Sequence, residues 1–433
     1  MMQIKIFSVI TFGCKLNQAE SQNLKEKLIK KGFLVIPENQ VTNFFINNKE
    51  KKNDPCFIIN ACAVTAKAEK ELRQKINQLK RQYPSSFLIV TGCYLAQKNE
   101  NVDLWINRKE LINKIYAFAR RVGYSTTNIQ CLEYRRVRTF IKIQDGCDNY
   151  CTYCLVPYLR GRPKNRSANA IIKEIKKREK EGCKEVVLVG TDLRKINFKP
   201  GRVRRLNVRE GKGLVDLIKI ILKKTKISII RISSLWPMAI TSDLIKLIKK
   251  EPRICPHLHL SLQSGSDKIL KRMGRNYQVK KIIELINKLK RIPNLNLTAD
   301  IIVGFPGETE EDFQETLNLV KKANFLKVHV FRYSPRPKTL AAKMPNQISE
   351  KIKKQRSKKL IVLSEKISKK VKNKYLGRIF PVLIENKKDN LWTGFTANYL
   401  RIYLKSSKNL ANQMVDVKLL GLYKDGIYGK IKS

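Results

Sequence analysis

Short apolar runs alternate with amphipathic stretches through the first third of the chain. They are Ile4 to Thr11, a helical face near Ser21 to Lys31, Cys56 to Asn60, a second helical face near Ala68 to Tyr83, and Phe87 to Thr91. A buried strand followed by a covering helix writes this pattern, so residues 1–134 predict an N-terminal open parallel α/β sheet. Near Arg135 the pattern restarts. Six strand-like runs follow, Phe140 to Gln144, Val186 to Val189, Ile229 to Ser233, Leu258 to Leu262, Leu297 to Val303 and Lys327 to Phe331, with helical stretches between them. Over 135–365 they predict a complete or partial (β/α) barrel with its site at the C-terminal strand ends. A basic helical connector spans Pro345 to Lys374. Beyond it, five short runs between polar turns, Ile379 to Ile384, Trp392 to Phe395, Leu400 to Leu404, Met414 to Leu420 and Gly426 to Ile431, predict a small all-β domain in 366–433.

Composition adds a charge and a compartment. The 433 residues carry 89 Lys and Arg against 36 Asp and Glu, a formal net charge of +53. Such a field attracts polyanions, nucleic acid first, although part of the excess follows the general Lys, Ile and Asn bias of the chain. No basic start leads into a long apolar stretch and a cleavage site, and no apolar run is long enough to span a bilayer. The expectation is a soluble, cytoplasmic, monomeric protein without a membrane partner. Ten cysteines in such a chain point to metal binding or catalysis ahead of disulfides.

The sharpest local signal is Cys147-Asp148-Asn149-Tyr150-Cys151-Thr152-Tyr153-Cys154, a C-x3-C-x2-C run directly after a predicted strand. Three thiolates on one loop can hold three irons of a cubane cluster and leave the fourth iron open. Zinc is the alternative, but it favours four ligands in pairs, and neither a fourth Cys nor a His follows nearby. His257, His259 and His329 lie far along the chain on predicted strands, where core or pocket roles are expected. Cys14, Cys62 and Cys93 each end a predicted strand, so the first sheet can bring them to one edge. Cys56, Cys131, Cys183 and Cys255 read as small core or surface residues.

The C-x3-C-x2-C spacing, with the aromatic Tyr153 before the third Cys, resembles the radical S-adenosylmethionine (SAM) superfamily. The contexts Phe12-Gly13-Cys14-Lys15-Leu16-Asn17-Gln18, Asn60-Ala61-Cys62-Ala63-Val64-Thr65 and Thr91-Gly92-Cys93 resemble the three cysteine motifs of its methylthiotransferase branch. The likeness covers nearly the whole chain in the family's order. It implies two 4Fe-4S clusters, one on Cys147, Cys151 and Cys154 that reductively cleaves SAM, and one on Cys14, Cys62 and Cys93 that carries the sulfur. It also implies a TRAM-like RNA-gripping β domain and methylthiolation at C2 of the adenosine beside the anticodon. The tRNA anticodon stem-loop and a reductant protein are the implied partners.

Gly13-Cys14-Lys15-Leu16-Asn17-Gln18, His329 to Pro337 and Gly394 to Arg401 resemble the threonylcarbamoyladenosine type. The same reaction on isopentenyladenosine, or a non-catalytic RNA-binding relative, are the alternatives. Tyr153, Gly190, Ser233, Gln263 and Asp300 are candidates to contact SAM, with turn and cap roles as their competitors. Arg160, Arg162 and Arg166 suit phosphate or carboxylate oxygens. Trp392, Phe395 and Tyr399 either stack on RNA bases or form the β domain's core. The chain departs from the family pattern at Ala61, at Leu235-Trp236-Pro237, at Arg332 and Lys338, in the basic stretch 193–209 and in an insertion over 39–52.

Overall fold

A computed structural model describes residues 6–47, 55–62, 65–94, 99–107, 110–111, 113–115, 117, 137–196 and 212–432. Cys131, most of the basic stretch 193–209 and the end of the 39–52 insertion lie outside these residues. The chain packs as two units, Met1–Tyr134 with Tyr158–Arg160, and Arg135–Pro157 with Gly161–Ser433.

In the first unit, β1 (Ile6–Thr11), β2 (Leu34–Val35), β3 (Cys56–Cys62), β4 (Phe87–Cys93) and β5 (Leu104–Trp105) form one parallel sheet in the order β2-β1-β3-β4-β5. β3 is buried along its whole length because both faces are covered. Phe57, Ile59 and Ala61 pack with Leu72, Ile76 and Leu79 of the helix Ala66–Gln82, whereas Cys56 and Ile58 pack with Leu24 and Leu28 of the helix Lys15–Lys30. An uninterrupted apolar run is the sequence consequence of such two-sided cover. The two-residue edge strands β2 and β5 carry too little pattern to be read from sequence.

The second unit opens with β6 (Arg138–Lys142) and a small antiparallel pair, β7 (Gln144–Asp145) with β8 (Lys164–Asn165). β9 (Glu185–Val189) lies between β6 and β10 (Ile229–Ile232), all parallel. β11 (His257–Gln263), β12 (Asn296–Val303) and β13 (Lys327–Arg332) form a second parallel trio. Parallel bridges Ile230↔Ile254 and Leu235↔Leu260 join the two trios, giving a six-stranded partial barrel. The remaining strands, β14 (Ile379–Lys388), β15 (Leu391–Thr396), β16 (Arg401–Leu404), β17 (Met414–Tyr423) and β18 (Gly426–Ile431), close into a separate small barrel in the order β14-β15-β16-β18-β17. The expected architecture is therefore present.

The helix Glu350–Asn373 runs unbroken through the division expected at 365/366. That helix caps on Ser349, packs along β13 through Ser364 Oγ, which accepts from Val328 N at 3.0 Å, and reaches the small barrel, where Lys372 Nζ donates to Asp425 O. The β domain belongs to the second unit rather than hanging from it.

The small barrel seals the N-terminal strand ends of the large one. Arg231 on β10, 1% exposed, donates to both oxygens of Glu185 at 2.7 and 3.3 Å and to Ala397 O at 3.0 Å. Arg138 bridges Glu185 at 2.8 Å and Glu385 at 2.9 Å. Asn296 Nδ2 donates to Asn398 O at 2.9 Å, and Tyr399 stacks on His257 with centroids 4.3 Å apart. Among the described residues no helix is long and apolar enough to cross a membrane.

Candidate functional site

Sheet register pairs two of the three N-terminal thiols, and the third follows the neighbouring strand. Cys62 and Cys93 are direct partners at the ends of the neighbouring strands β3 and β4, a lateral step of about 4.8 Å in any sheet. Cys14 follows β1 and stands at the N-cap of the helix Lys15–Lys30. Gly13 joins it to the pair. Its φ is +92°, and a Cβ there would come within 2.5 Å of Cys62 Cβ and 2.8 Å of Cys62 Sγ, so only glycine lets the chain pass so close. Two asparagines secure the edge: Asn17 Nδ2 donates to Phe12 O and Ala61 O at 2.9 and 3.0 Å, and Asn60 Nδ2 to Asn17 O and Ser21 Oγ at 2.9 and 3.0 Å. The sequence motifs contain both without assigning either a role, because a polar side chain in a first helical turn or near a strand end looks like any cap or turn residue.

The second trio lies on the loop between β7 and the helix Val156–Arg160. A strap at 272–275 fixes this loop from behind: Thr152 N donates to Met273 O at 3.1 Å, Thr152 Oγ1 to Arg272 O at 2.9 Å, and Gly274 backs onto the Cys151 backbone. Asn149 Nδ2 donates to Cys151 Sγ at 3.0 Å, and Val156 N to Cys154 Sγ at 3.4 Å. Burial pushes the Cys147 thiol up to about 11, with Asp192 adding to it, and burial pushes Cys154 up to about 12 against the pull of Val156 N–H and Arg275. Sulfur donors carrying N–H···S bonds suit iron, whose binding displaces the thiol protons. No three thiol, imidazole or carboxylate groups among the described residues converge tightly enough to share one metal ion.

Around this loop the barrel supplies charge. Arg194 grips Asp192 at 2.9 and 2.6 Å and Asn149 Oδ1 at 3.2 Å, while Asp192 Oδ2 lies 3.8 Å from Cys147 Sγ. Its guanidinium stacks on the Trp236 indole at 3.7 Å, and that of Arg275 stacks on the same indole at 3.6 Å. Trp236, which departs from the family pattern, is thus occupied by two cations. Arg275 was not expected from the sequence, where it stands in an ordinary helix-to-helix loop.

The candidate SAM residues divide. Ser233 directly follows β10, Gly190 directly follows β9 and Gln263 ends β11 in a bulge with φ +77°, all at C-terminal strand ends. The missing side chain of Gly190 is accounted for by the protein itself, since a Cβ would meet Leu193 at 2.5 Å and Gln144 at 3.1 Å. Tyr153 turns its hydroxyl to Arg275 Nη2 at 2.7 Å. Asp300 lies within β12, bonded to His259 Nε2 at 2.9 Å; Thr298 Oγ1 in turn meets His259 Nδ1 at 2.8 Å and His257 Nε2 at 3.0 Å. Arg166 donates to Lys142 O at 2.8 Å and Glu174 at 2.6 Å, and Ser167 caps the helix Ala168–Lys180.

The β domain's three candidate aromatics all have partners within the protein, although Phe395 and Tyr399 are only half-buried and also line a cleft. Tyr399 lies between His257 and Phe395, Arg138 covers the Phe395 ring at 5.0 Å, and Trp392 is buried. A cleft of about 790 Å³ remains between β13, the helix Glu350–Asn373 and the small barrel, where Lys327, Lys369, Lys372, Arg401 and Lys424 gather.

Comparison with known proteins agrees with this geometry. Residues 141–320 match the Radical SAM superfamily, and residues 6–112 match a family described as uncharacterised, UPF0004. The chain is 33% identical over 450 residues to the threonylcarbamoyladenosine tRNA methylthiotransferase MtaB of Thermotoga maritima, covering 98% of this chain and 96% of that protein. It is 31% identical over 445 residues to a tRNA-2-methylthio-N(6)-dimethylallyladenosine synthase of Acetivibrio thermocellus, covering 96% and 88%. In fold it resembles the radical S-adenosylmethionine methyltransferase TsrM of Kitasatospora setae, with a TM-score of 0.55 at 12% identity over 79% of this chain and 77% of that one.

Proposed function

The chain belongs to the radical SAM family of tRNA methylthiotransferases, and from that premise we propose that it adds a methylthio group to C2 of N6-threonylcarbamoyladenosine beside the anticodon. In this reading Cys147, Cys151 and Cys154 hold a 4Fe-4S cluster open to SAM, and Cys14, Cys62 and Cys93 hold a second one. When bound, these groups supply one-electron cleavage of SAM and the sulfur to be transferred.

The chain's own residues bind and orient. Asn149 and the Val156 amide steady two sulfurs, the 272–275 strap holds the loop, and Asn17 with Asn60 fixes the other edge. Ser233 and Gln263 are the polar groups at strand ends for the ribose and methionyl ends of SAM, and Tyr153 and Gly190 shape the pocket around it. Asp300, held by His259, serves as an oriented acceptor. The lysine-lined cleft, whose wall also includes Phe395 and Tyr399, takes phosphates of the anticodon stem-loop. The reaction requires a one-electron reductant protein, and we place it in the cytoplasm, on a monomer.

The observation that carries this reading is the in-register pair Cys62 and Cys93 with Gly13 packed against it. A radical SAM enzyme of another kind needs only the Cys147 loop. The threonylcarbamoyl substrate is favoured by Cys14-Lys15-Leu16-Asn17-Gln18 and by the Thermotoga relative.

Anaerobic reconstitution should load about eight irons per chain, falling to about four in a Cys62→Ala, Cys93→Ala variant. Nucleoside mass spectrometry of tRNA from cells with and without the gene tests the substrate. Loss of the methylthio derivative with accumulation of threonylcarbamoyladenosine is expected. A change confined to isopentenyladenosine products transfers the assignment to that base, and no change in either removes the reaction.

A further inference from the structure

Arg275 is a buried cation whose counter-charge is missing. It is 6% exposed, and no carboxylate pairs with it among the described residues. Its Nε and Nη2 donate to the neutral Tyr153 hydroxyl at 3.3 and 2.7 Å, and its Nη1 has no hydrogen-bond partner. Several other buried arginines of this unit are answered: Arg231 by Glu185, Arg356 by Glu308 at 2.8 Å, and Arg194 by Asp192. A guanidinium out of water without an anion is strongly disfavoured, so such a group implies an anion that arrives later.

The neighbours of Arg275 say where that anion sits. The preceding Gly274 abuts Cys151, with an ideal Cβ 3.6 Å from Cys151 Cα, and Gly274 O shares the Asn149 amide with Cys151 Sγ. Tyr153, the hydrogen-bond partner of Arg275, lies between Cys151 and Cys154 in the chain. Behind the guanidinium, the Trp236 face at 3.6 Å supplies cation–π attraction and excludes water. Arg194, on the same indole, cannot do this task, because Asp192 already neutralises it.

We propose that Arg275 is the fixed counter-cation of the iron–sulfur centre on Cys147, Cys151 and Cys154, and that it sets the potential at which this centre accepts its electron. The inference rests on the reading that these three cysteines hold a cluster. Three thiolates give that centre a net negative charge, and one more electron, from an external one-electron reductant protein, deepens it; no bond is made or broken in that step. A permanent positive charge in a water-poor site favours the reduced form. Arg275 is accordingly a positioning residue, acting on the cluster's charge and not on the RNA.

The test uses the full chain with Cys14, Cys62 and Cys93 replaced by Ala, so that one cluster remains, and reads its midpoint potential by electron paramagnetic resonance of poised samples. Arg275→Met and Arg275→Gln should lower the reduction equilibrium constant at least tenfold, a shift of about 59 mV to more negative potential. Arg275→Lys should stay within a third of that shift. An unmoved potential in the Met or Gln variant, each still holding about four irons, overturns the proposal. So does weaker SAM binding by calorimetry at unchanged potential, which would assign the guanidinium to the methionyl carboxylate. If the parent with Arg275 intact holds no four-iron cluster, it is the cluster assignment that fails, and the two failures are told apart by iron content alone.

Discussion

The two ends of the central barrel treat buried charge in opposite ways. At the N-terminal strand ends, Arg231 and Arg138 converge on Glu185, and the main-chain oxygen of Ala397 completes the set. At the C-terminal ends, Arg275 is also buried but, among the described residues, faces the Tyr153 and Tyr277 phenols and the Trp236 indole without a carboxylate. One end is finished by the folded chain. The other keeps a charge that no carboxylate among the described residues answers, which teaches that a barrel of one construction can pair its buried charge at the floor and leave it unpaired at the rim.

Breaking the finished end should cost most. Glu185→Gln leaves two guanidiniums without their shared carboxylate, and we expect a loss of about 3–5 kcal/mol in denaturant unfolding. A change below 1 kcal/mol would mean that the floor is not held by this pair.

The rim also contains a carboxylate that is fully answered. Against the desolvation of its burial, Thr309 N–H, Lys268, Ser266 and the Thr309 hydroxyl hold Asp312 down to about 2 from an ordinary 3.8. A depressed carboxyl stabilises the fold above its unfolded value and loses that contribution as pH falls from 3.8 towards 2. Asp312→Asn should therefore cost about 2 kcal/mol near neutrality. The variant should also lose less stability than the parent between those two pH values, as followed by circular dichroism.

The smallest effect sharpens the contrast. Removing an unanswered cation relieves its burial while forfeiting the Tyr153 hydrogen bond and the Trp236 contact, so Arg275→Met in cluster-free protein should change stability by less than about 1 kcal/mol. A loss comparable to that of Glu185→Gln would place the two arginines in the same class.

What the sequence made legible was local. Cys147, Cys151 and Cys154 are separated by seven positions, and the alternation of apolar runs with helical faces marked every long strand, because strand and helix periods need no partner to be seen. What it hid was pairing at a distance. Arg275 meets Tyr153 across 122 positions, and Arg231 meets Ala397 across 166, with no periodicity to announce either. Tyr399 reads from sequence as core or as an RNA platform, and its stacking on His257, across 142 positions, could not be seen there. Gly190 looked like a gap left for a cofactor, yet Leu193 and Gln144 fill the space beside it.

The seat of Tyr399 on His257, and of Ala397 on Arg231, has a consequence for how such a chain can be rearranged. The β domain cannot be traded like a cartridge for another module: lifting it out would bare the Arg231–Glu185 pair at the barrel floor and remove the Ala397 carbonyl that completes it. Any exchange, natural or engineered, must carry over the Thr396–Tyr399 turn as well, so the small barrel and the floor of the large one are inherited together.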